Sequence, residues 1–417
     1  MTDRIATSLA DIEAAVWDRA GCSSSVYLTH AWLCSVEGRI SPTQFYLLSG
    51  PDSRPSGRLS CYLLPEPAGN YATFDPVETL LVADSRARVT GYGAEGDADA
   101  YDAALAEVAR NRATLYPALV CAVPNGYLAG IDRARTGGPD PDRAAPDRAD
   151  PDGTDPDGAV LTHLLDRFEA LARSVGARTA AVLYVPDGDL ALARQLRVRG
   201  YVEAVAGANS VLEVPAGTFE DYLGGLRGIR ARKEVERFRG YGLTVEICDS
   251  SVLDERLAEL QLQHYRQYGL RGSLDHVLRS FRETRRHLGD KLRVIRVHRR
   301  ETIVGFHSGF RYGRSLFSRY GAFDRDLLGR ETFAHFNLQY YEMVRLAQAE
   351  GVREIHYGLG SYPTKVRRGC RLDALRTFVR PMATGPATSA LATCWRLLGR
   401  ANEREIAAVT GGVQHDT

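Results

Sequence analysis

The sequence predicts an α/β protein of two tandem units, each a mixed central sheet flanked by helices, and three observations carry that reading. At 417 residues the chain exceeds the size at which a single hydrophobic core keeps growing, so two domains are the default. Stretches with strand alternation and stretches with helical spacing follow one another along the whole length. The order of elements also repeats. Ala172-Arg-Ser-Val-Gly176-Ala-Arg178 leads into a β run ending at Tyr184, a helix, and Arg199-Gly200-Tyr201 before a strand at 209–214. Ala347-Gln-Ala-Glu-Gly351-Val-Arg353 leads into a β run ending at Tyr357, then Arg368-Gly369-Cys370 before a strand at 375–379. The glycine spacings differ, 24 residues against 18, as in a repeat of structure rather than a recent duplication. The boundary is placed near Pro215, giving domains 1–215 and 216–417.

In order, 8–19 and 29–38 have helical spacing, and 43–48 and 58–64 read as a hairpin across a Gly/Pro/Asp/Ser turn. A helix at 99–112 and a strand at 116–123 follow. Residues 132–158 hold eight aspartates and four arginines among Pro, Ala and Gly; such a segment buries too little apolar surface to offset its ordering entropy and is expected to be a disordered surface insertion. A helix spans 160–174. In the second half, helices are expected at 219–224 and 227–239, a strand at 243–248, and helices at 253–268 and 274–288. Strands at 292–297, 302–310 and 315–322 form an antiparallel meander. A long helix spans 331–350, with Phe333, Phe336, Tyr340, Val344 and Ala347 at helical spacing, and a closing helix spans 386–400.

Charge is distributed unevenly. Residues 1–215 carry 19 arginines and no lysine against 29 acids, a net of −10; residues 216–417 carry 34 basic and 23 acidic side chains, a net of +11. The second half should attract anions. Seven cysteines form no Cys-x-x-Cys pair and no Cys/His cluster, which argues for a reducing compartment and against a zinc site or disulfide framework. No metal site is expected. No apolar run approaches the roughly 18 residues of a membrane span, and no secretory signal is read at the start; the expected location is the cytoplasm.

The stretch Ile355 to Cys370 reads as a strand end opening into a loop. Gly358 and Gly360 flank one residue, where missing side chains let backbone N–H groups approach a ligand. Lys365 is one of only three lysines beside 50 arginines, so a compact, rotatable ammonium is favoured there over a planar fork. Arg367 and Arg368 follow. Upstream, Arg227, Arg230, Arg232, Lys233, Arg237 and Arg239 exceed Glu234 and Glu236 by a net of +4, an anionic rim or a solvated helix face. His307 and His335 lie in apolar runs that suit structural histidines as well as general bases. Leu391, Trp395 and Leu398 form an apolar stripe that suits packing on the protein or docking at a membrane surface.

Strand, helices, meander, helix, strand, loop, strand is the layout of the GNAT acyltransferase fold, and the second half resembles the Fem family of aminoacyl-tRNA-dependent transferases and their actinobacterial GNAT-like relatives, which carry two such units in tandem. The likeness rests on Tyr222-Leu-x-x-Leu226 with the Arg/Lys/Phe238 run, Gly242-Leu-Thr-Val245, Ser318-Arg-Tyr-Gly-Ala322, Asn337 and Tyr341, and Gly351 through Lys365 to Gly369. It covers residues 217–380 well and 1–215 loosely. The resemblance implies a substrate-contacting role in transfer for Lys365 alone; Tyr357 is expected to act beside it, Arg319, Tyr320, Asn337, Tyr341, Gly358 and Tyr362 to line the substrate cleft, and Arg230, Arg232, Lys233, Arg367 and Arg368 to meet the anionic tRNA. Such a reaction forms an amide from an ester, runs downhill without a cofactor, and develops an oxyanion that an ammonium or N–H stabilises. The implied partners are aminoacyl-tRNA as donor and a small-molecule or peptide amine as acceptor.

A CoA-dependent GNAT would cradle pyrophosphate on a glycine-rich loop opening a helix. The corresponding segment, Arg325-Asp-Leu-Leu-Gly-Arg-Glu331, has one glycine and two carboxylates. Gly91-Tyr-Gly93-Ala-Glu-Gly96 fits a Gly-x-Gly-x-x-Gly spacing, but the acids around it repel phosphate. Acyl-CoA is therefore the alternative donor. A non-catalytic nucleic-acid-binding protein is the remaining reading, without a recognisable binding module.

Overall fold

The computed structural model describes residues 3–37, 39–40, 42–68, 74–134, 156–267, 269–270 and 272–414. Contacts divide the chain into a first unit of 1–23, 27–209 and 373–409 and a second of 24–26, 210–372 and 410–417.

In the first unit, β1 (Asp3–Ala6), β2 (Thr43–Ser49), β3 (Gly57–Leu64), β4 (Ala118–Cys121), β6 (Thr179–Pro186), β13 (Arg371–Pro381) and β7 (Val202–Glu213) lie side by side in that order, with β5 (Ile131–Arg133) paired to β3. β4 and β6 run parallel, while β2 and β3 form the expected hairpin from Thr43↔Leu63 to Ser49↔Gly57. Leu161, Leu164, Leu165 and Phe168 of the helix Pro156–Ser174 and Leu192 and Leu196 of the helix Leu190–Val198 pack with Leu59, Leu119 and Val182 of the sheet. Each such side chain contributes about 1.5–3 kcal/mol by burial.

Two expectations change here. The insertion is shorter than 132–158. Asp132 and Arg133 pair with Arg58 and Gly57 as β5, and the Asp132 carboxylate sits 3.0 Å from the buried Arg58 guanidinium. Pro156 already opens a helix, and residues 135–155 lie outside the described residues. The tail is not divided as the repeat suggests. From Asp373 to Val409 it clusters with the first unit, because β13 pairs antiparallel with β6, Val379 opposite Ala181. The closing helix runs Pro386–Gln414; Leu391, Trp395 and Leu398 are buried, Trp395 Nε1 donates to Pro76 O at 3.0 Å, and Asn402 Nδ2 to Val205 O at 2.7 Å. That burial accounts for the apolar stripe. No described helix is long and apolar enough to cross a membrane. Residues 93–96 are an ordinary turn between the helices Ala83–Tyr92 and Asp97–Arg110: the Gly93 N–H caps Val89 O, and the Asp97 carboxylate accepts from Ala94 N, taking an N–H that a phosphate would need.

In the second unit the order is the end of β7 (residues 210–213), β12 (Glu354–His356), β11 (Ser315–Phe323), β10 (Thr302–Tyr312), β9 (Leu292–Arg299) and β8 (Leu243–Cys248). β9 to β11 are the expected meander, and β12 runs parallel to β11 but antiparallel to β7. The helix expected at 331–350 is broken. Phe333 is left-handed at φ 53°, Ala334–Phe336 makes one short turn, Asn337–Tyr341 is a π-helical turn, and Glu342–Ala349 completes the run. Widening the turn lets Asn337, Leu338, Tyr340 and Tyr341 all face the interior. Such bulges concentrate at functional positions.

Candidate functional site

β11 and β12 pair only from Ser315↔Glu354 to Phe317↔His356; β12 then stops while β11 continues to Phe323. The strands therefore part at the carboxyl end of β12, where open α/β sheets take ligands. The chain leaving β12 turns sharply, with φ of 68° at Gly358, 75° at Gly360 and 52° at Ser361. Glycine adopts such angles without a steric penalty. The short helix Tyr362–Val366 follows and brings Lys365 back beneath the turn.

Lys365 is 3% exposed, and its Nζ donates to Tyr357 O, Gly358 O and Leu359 O, each at 2.9 Å. An ammonium has three donors, so all are taken up by backbone. The direct hold on substrate or oxyanion expected of Lys365 is not what this geometry offers; the lysine instead pins the turn. Burial pulls its pKa down to about 8. Between that value and the ordinary 10.5, the unfolded chain binds more protons than the folded one, so Lys365 contributes stability that rises with pH through this window. Thermal melting should show no loss from Lys365 between pH 7 and 9. Turnover should decline over the same interval, as the neutral amine has one donor fewer for the three carbonyls.

A second network lies beside it. Arg368 is 3% exposed; its guanidinium lies 3.0 Å from Glu234 Oε2 and 3.7 Å above the Phe336 ring. Tyr341 donates to the same Glu234 oxygen at 2.5 Å, Asn337 Nδ2 donates to Glu234 O and Phe333 O, and Tyr222 donates to Arg368 O. The Tyr340 ring lies 5.2 Å from the Arg368 guanidinium and 4.9 Å from the Tyr357 ring, linking the two networks. Arg368 is thus withdrawn from any surface role toward tRNA, and Asn337 and Tyr341 brace it rather than line an open cleft. Tyr357 is buried, its pKa raised well above 10 by burial, so its hydroxyl stays protonated. Tyr362 is buried as well.

Tyr320 turns toward the helix Leu274–Leu288, its hydroxyl 3.2 Å from Ser280 Oγ and its ring 5.7 Å from Phe281, with the half-buried Arg319 guanidinium over it at 5.4 Å. His307 is a packed histidine. Its Nε2 lies 2.9 Å from Ser318 Oγ, burial lowers its pKa to about 3, and a Cβ on Gly321 would lie 2.4 Å from its Nδ1. Arg230, Arg232, Lys233 and Arg367 are exposed, as are Arg237 and Arg239. The residue missed by sequence reasoning is Glu234, counted there as one acid within a basic run. Its signal was present, since Ala231, Glu234, Val235 and Phe238 fall at i, i+3, i+4 and i+7, the buried stripe of the helix Ala231–Gly240.

The segment after β11 turns several of its N–H groups onto its own acid. Asp326 N and Leu327 N donate to Asp324 Oδ1, Leu328 N donates to Asp324 O, and a Cβ on Gly329 would lie 2.1 Å from Glu331 Oε1. The N–H groups of 326–328 are thereby held by Asp324 and withdrawn from a phosphate.

Residues 227–366 match the family model described as acetyltransferase (GNAT) domain. That stretch is a GNAT acyltransferase domain. Among solved structures, the protein is similar to the crystal structure of FemX, at 10% identity over 91% of this chain and 97% of that one, TM-score 0.52. It also matches a tandem GNAT protein from the clavulanic acid biosynthesis pathway, at 13% identity over 92% of this chain and 100% of that one, TM-score 0.44. A third match is the C-terminal domain of a putative lysylphosphatidylglycerol synthetase from Agrobacterium fabrum, at 15% identity over 55% and 76%, TM-score 0.42. No curated protein matches in sequence. The FemX likeness gives the chain a Fem-like fold over nine-tenths of its length.

Proposed function

We propose that this GNAT protein forms an amide by moving an aminoacyl group from aminoacyl-tRNA to an amine of a cell-wall or specialised-metabolite acceptor. The observation that carries the donor choice is the segment 324–331. Of the N–H groups with which a CoA-dependent enzyme would hold pyrophosphate, this chain has bound those of Asp326, Leu327 and Leu328 to Asp324 and set a carboxylate against Gly329. The exposed Arg230, Arg232, Lys233, Arg237 and Arg239 support the same reading by offering cations to a polyphosphate backbone. In the reaction the acceptor nitrogen attacks the ester carbonyl. A C–N bond forms, the C–O bond to the terminal ribose breaks, and the proton from the amine leaves with the ribose hydroxyl. Acyl-CoA remains the second donor to be tested, because the matched family is described as acetyltransferase.

Binding of charged tRNA should weaken with salt, and replacing Arg230, Arg232 and Lys233 together by alanine should flatten the log–log salt slope by about 2–3 units, at roughly 0.7–0.9 for each phosphate no longer neutralised. Fluorescence anisotropy at several salt concentrations measures it. An unchanged slope would remove this face from the donor site.

A further inference from the structure

The three carbonyls gripped by Lys365 have a consequence on the other side of the turn. In a trans peptide the C=O of one residue and the N–H of the next point in opposite directions. With Gly358 O and Leu359 O drawn 2.9 Å to Lys365 Nζ, the N–H groups of Leu359 and Gly360 face away from the ammonium. Among the described residues neither N–H has an acceptor. Gly358, Gly360 and Ser361 are left-handed and Leu359 is not; a turn conformation of this kind can bring successive N–H groups together as an anion-binding concavity. The turn is half-exposed, and nothing lies within 4 Å of the Cβ position of Gly360. It sits where β11 and β12 have parted.

We infer that the Leu359 and Gly360 N–H groups form an oxyanion site, held open by Lys365, for a single anionic oxygen such as that on the tetrahedral carbon of acyl transfer. Lys365 is then a positioning residue and the two amides are the groups that touch the reacting oxygen. This rests on the acyl-transfer reading for its substrate, while the anion site itself rests on geometry alone. Two N–H donors preset at the point of developing charge are the arrangement that stabilises a transition state over a ground state.

The test uses the full chain, deuterated and 15N-labelled, titrated with sodium acetate and separately with inorganic phosphate. The amide resonances of Leu359 and Gly360 should shift downfield and saturably in the wild type. In Lys365→Met, and in Lys365→Arg should the methionine variant fail to fold, the shift should disappear while the rest of the spectrum is retained. Replacing Leu359 by its α-hydroxy acid, which exchanges the N–H for an ester oxygen, should lower kcat by about 10²-fold with little change in KM. Leu359 and Gly360 amides that ignore both anions, in a protein that still transfers acyl groups, would overturn the inference and leave the function standing. Lysine-dependent anion binding without transfer from any donor would uphold the site and overturn the functional reading.

Discussion

Arg368→Met should destabilise the second unit by about 3–5 kcal/mol, the cost of breaking a buried pair and stranding its partner charge. Arg368 is 3% and Glu234 9% exposed, and the substitution would leave Glu234 with only the Tyr341 hydroxyl and no cation. It also removes the guanidinium stacked 3.7 Å over Phe336. Adding Glu234→Gln should return at least half of the loss, because a neutral amide oxygen still accepts from Tyr341 and no bare charge remains. Urea unfolding of the single and double variants measures both. A single variant within about 1 kcal/mol of wild type, by the same cycle, would show that the network adds nothing to stability.

Lys365→Met should reduce turnover by at least about 10²-fold, though the lysine's own donors reach only backbone. The methionine keeps the stem and removes the ammonium, so three carbonyls at 2.9 Å lose their donor and the turn can rotate its peptides. Each acceptor left bare costs about 1–3 kcal/mol, so part of the effect should appear as lower stability, and circular dichroism must accompany the kinetics. The loss should fall on kcat. Turnover near the wild-type rate in a folded variant would mean that the turn holds its shape without the lysine.

The outline of the fold was legible because burial imposes periodicity. The hairpin 43–64, the meander 292–323 and the helices around it follow from alternation of two and of 3.6 residues. The assignment of the tail was not legible. Pairing of Val379 with Ala181 is a long-range choice of register, and the repeat that marks β13 as the second copy's last strand says nothing about which sheet receives it. At the site, lysine scarcity singled out Lys365, and the glycines singled out its turn. Its partners were hidden because a backbone carbonyl carries no sequence signature; only the left-handed angles at Gly358, Gly360 and Ser361 fold those carbonyls back onto it. Arg368 was misplaced for a related reason, since a basic pair at 367–368 reads as surface until Glu234 is recognised on the apolar stripe of its helix.

Amide formation from a tRNA-borne aminoacyl ester is tested most directly by following donor consumption with purified protein and a pool of candidate amines. One arm supplies charged total tRNA, with and without RNase, and the other supplies acyl-CoA. Amide product is expected from the tRNA arm, abolished by RNase, with no release of CoA thiol from the other. Product formation that is indifferent to RNase and accompanied by free CoA thiol would contradict the proposed donor, and would make this an acyl-CoA-dependent GNAT enzyme.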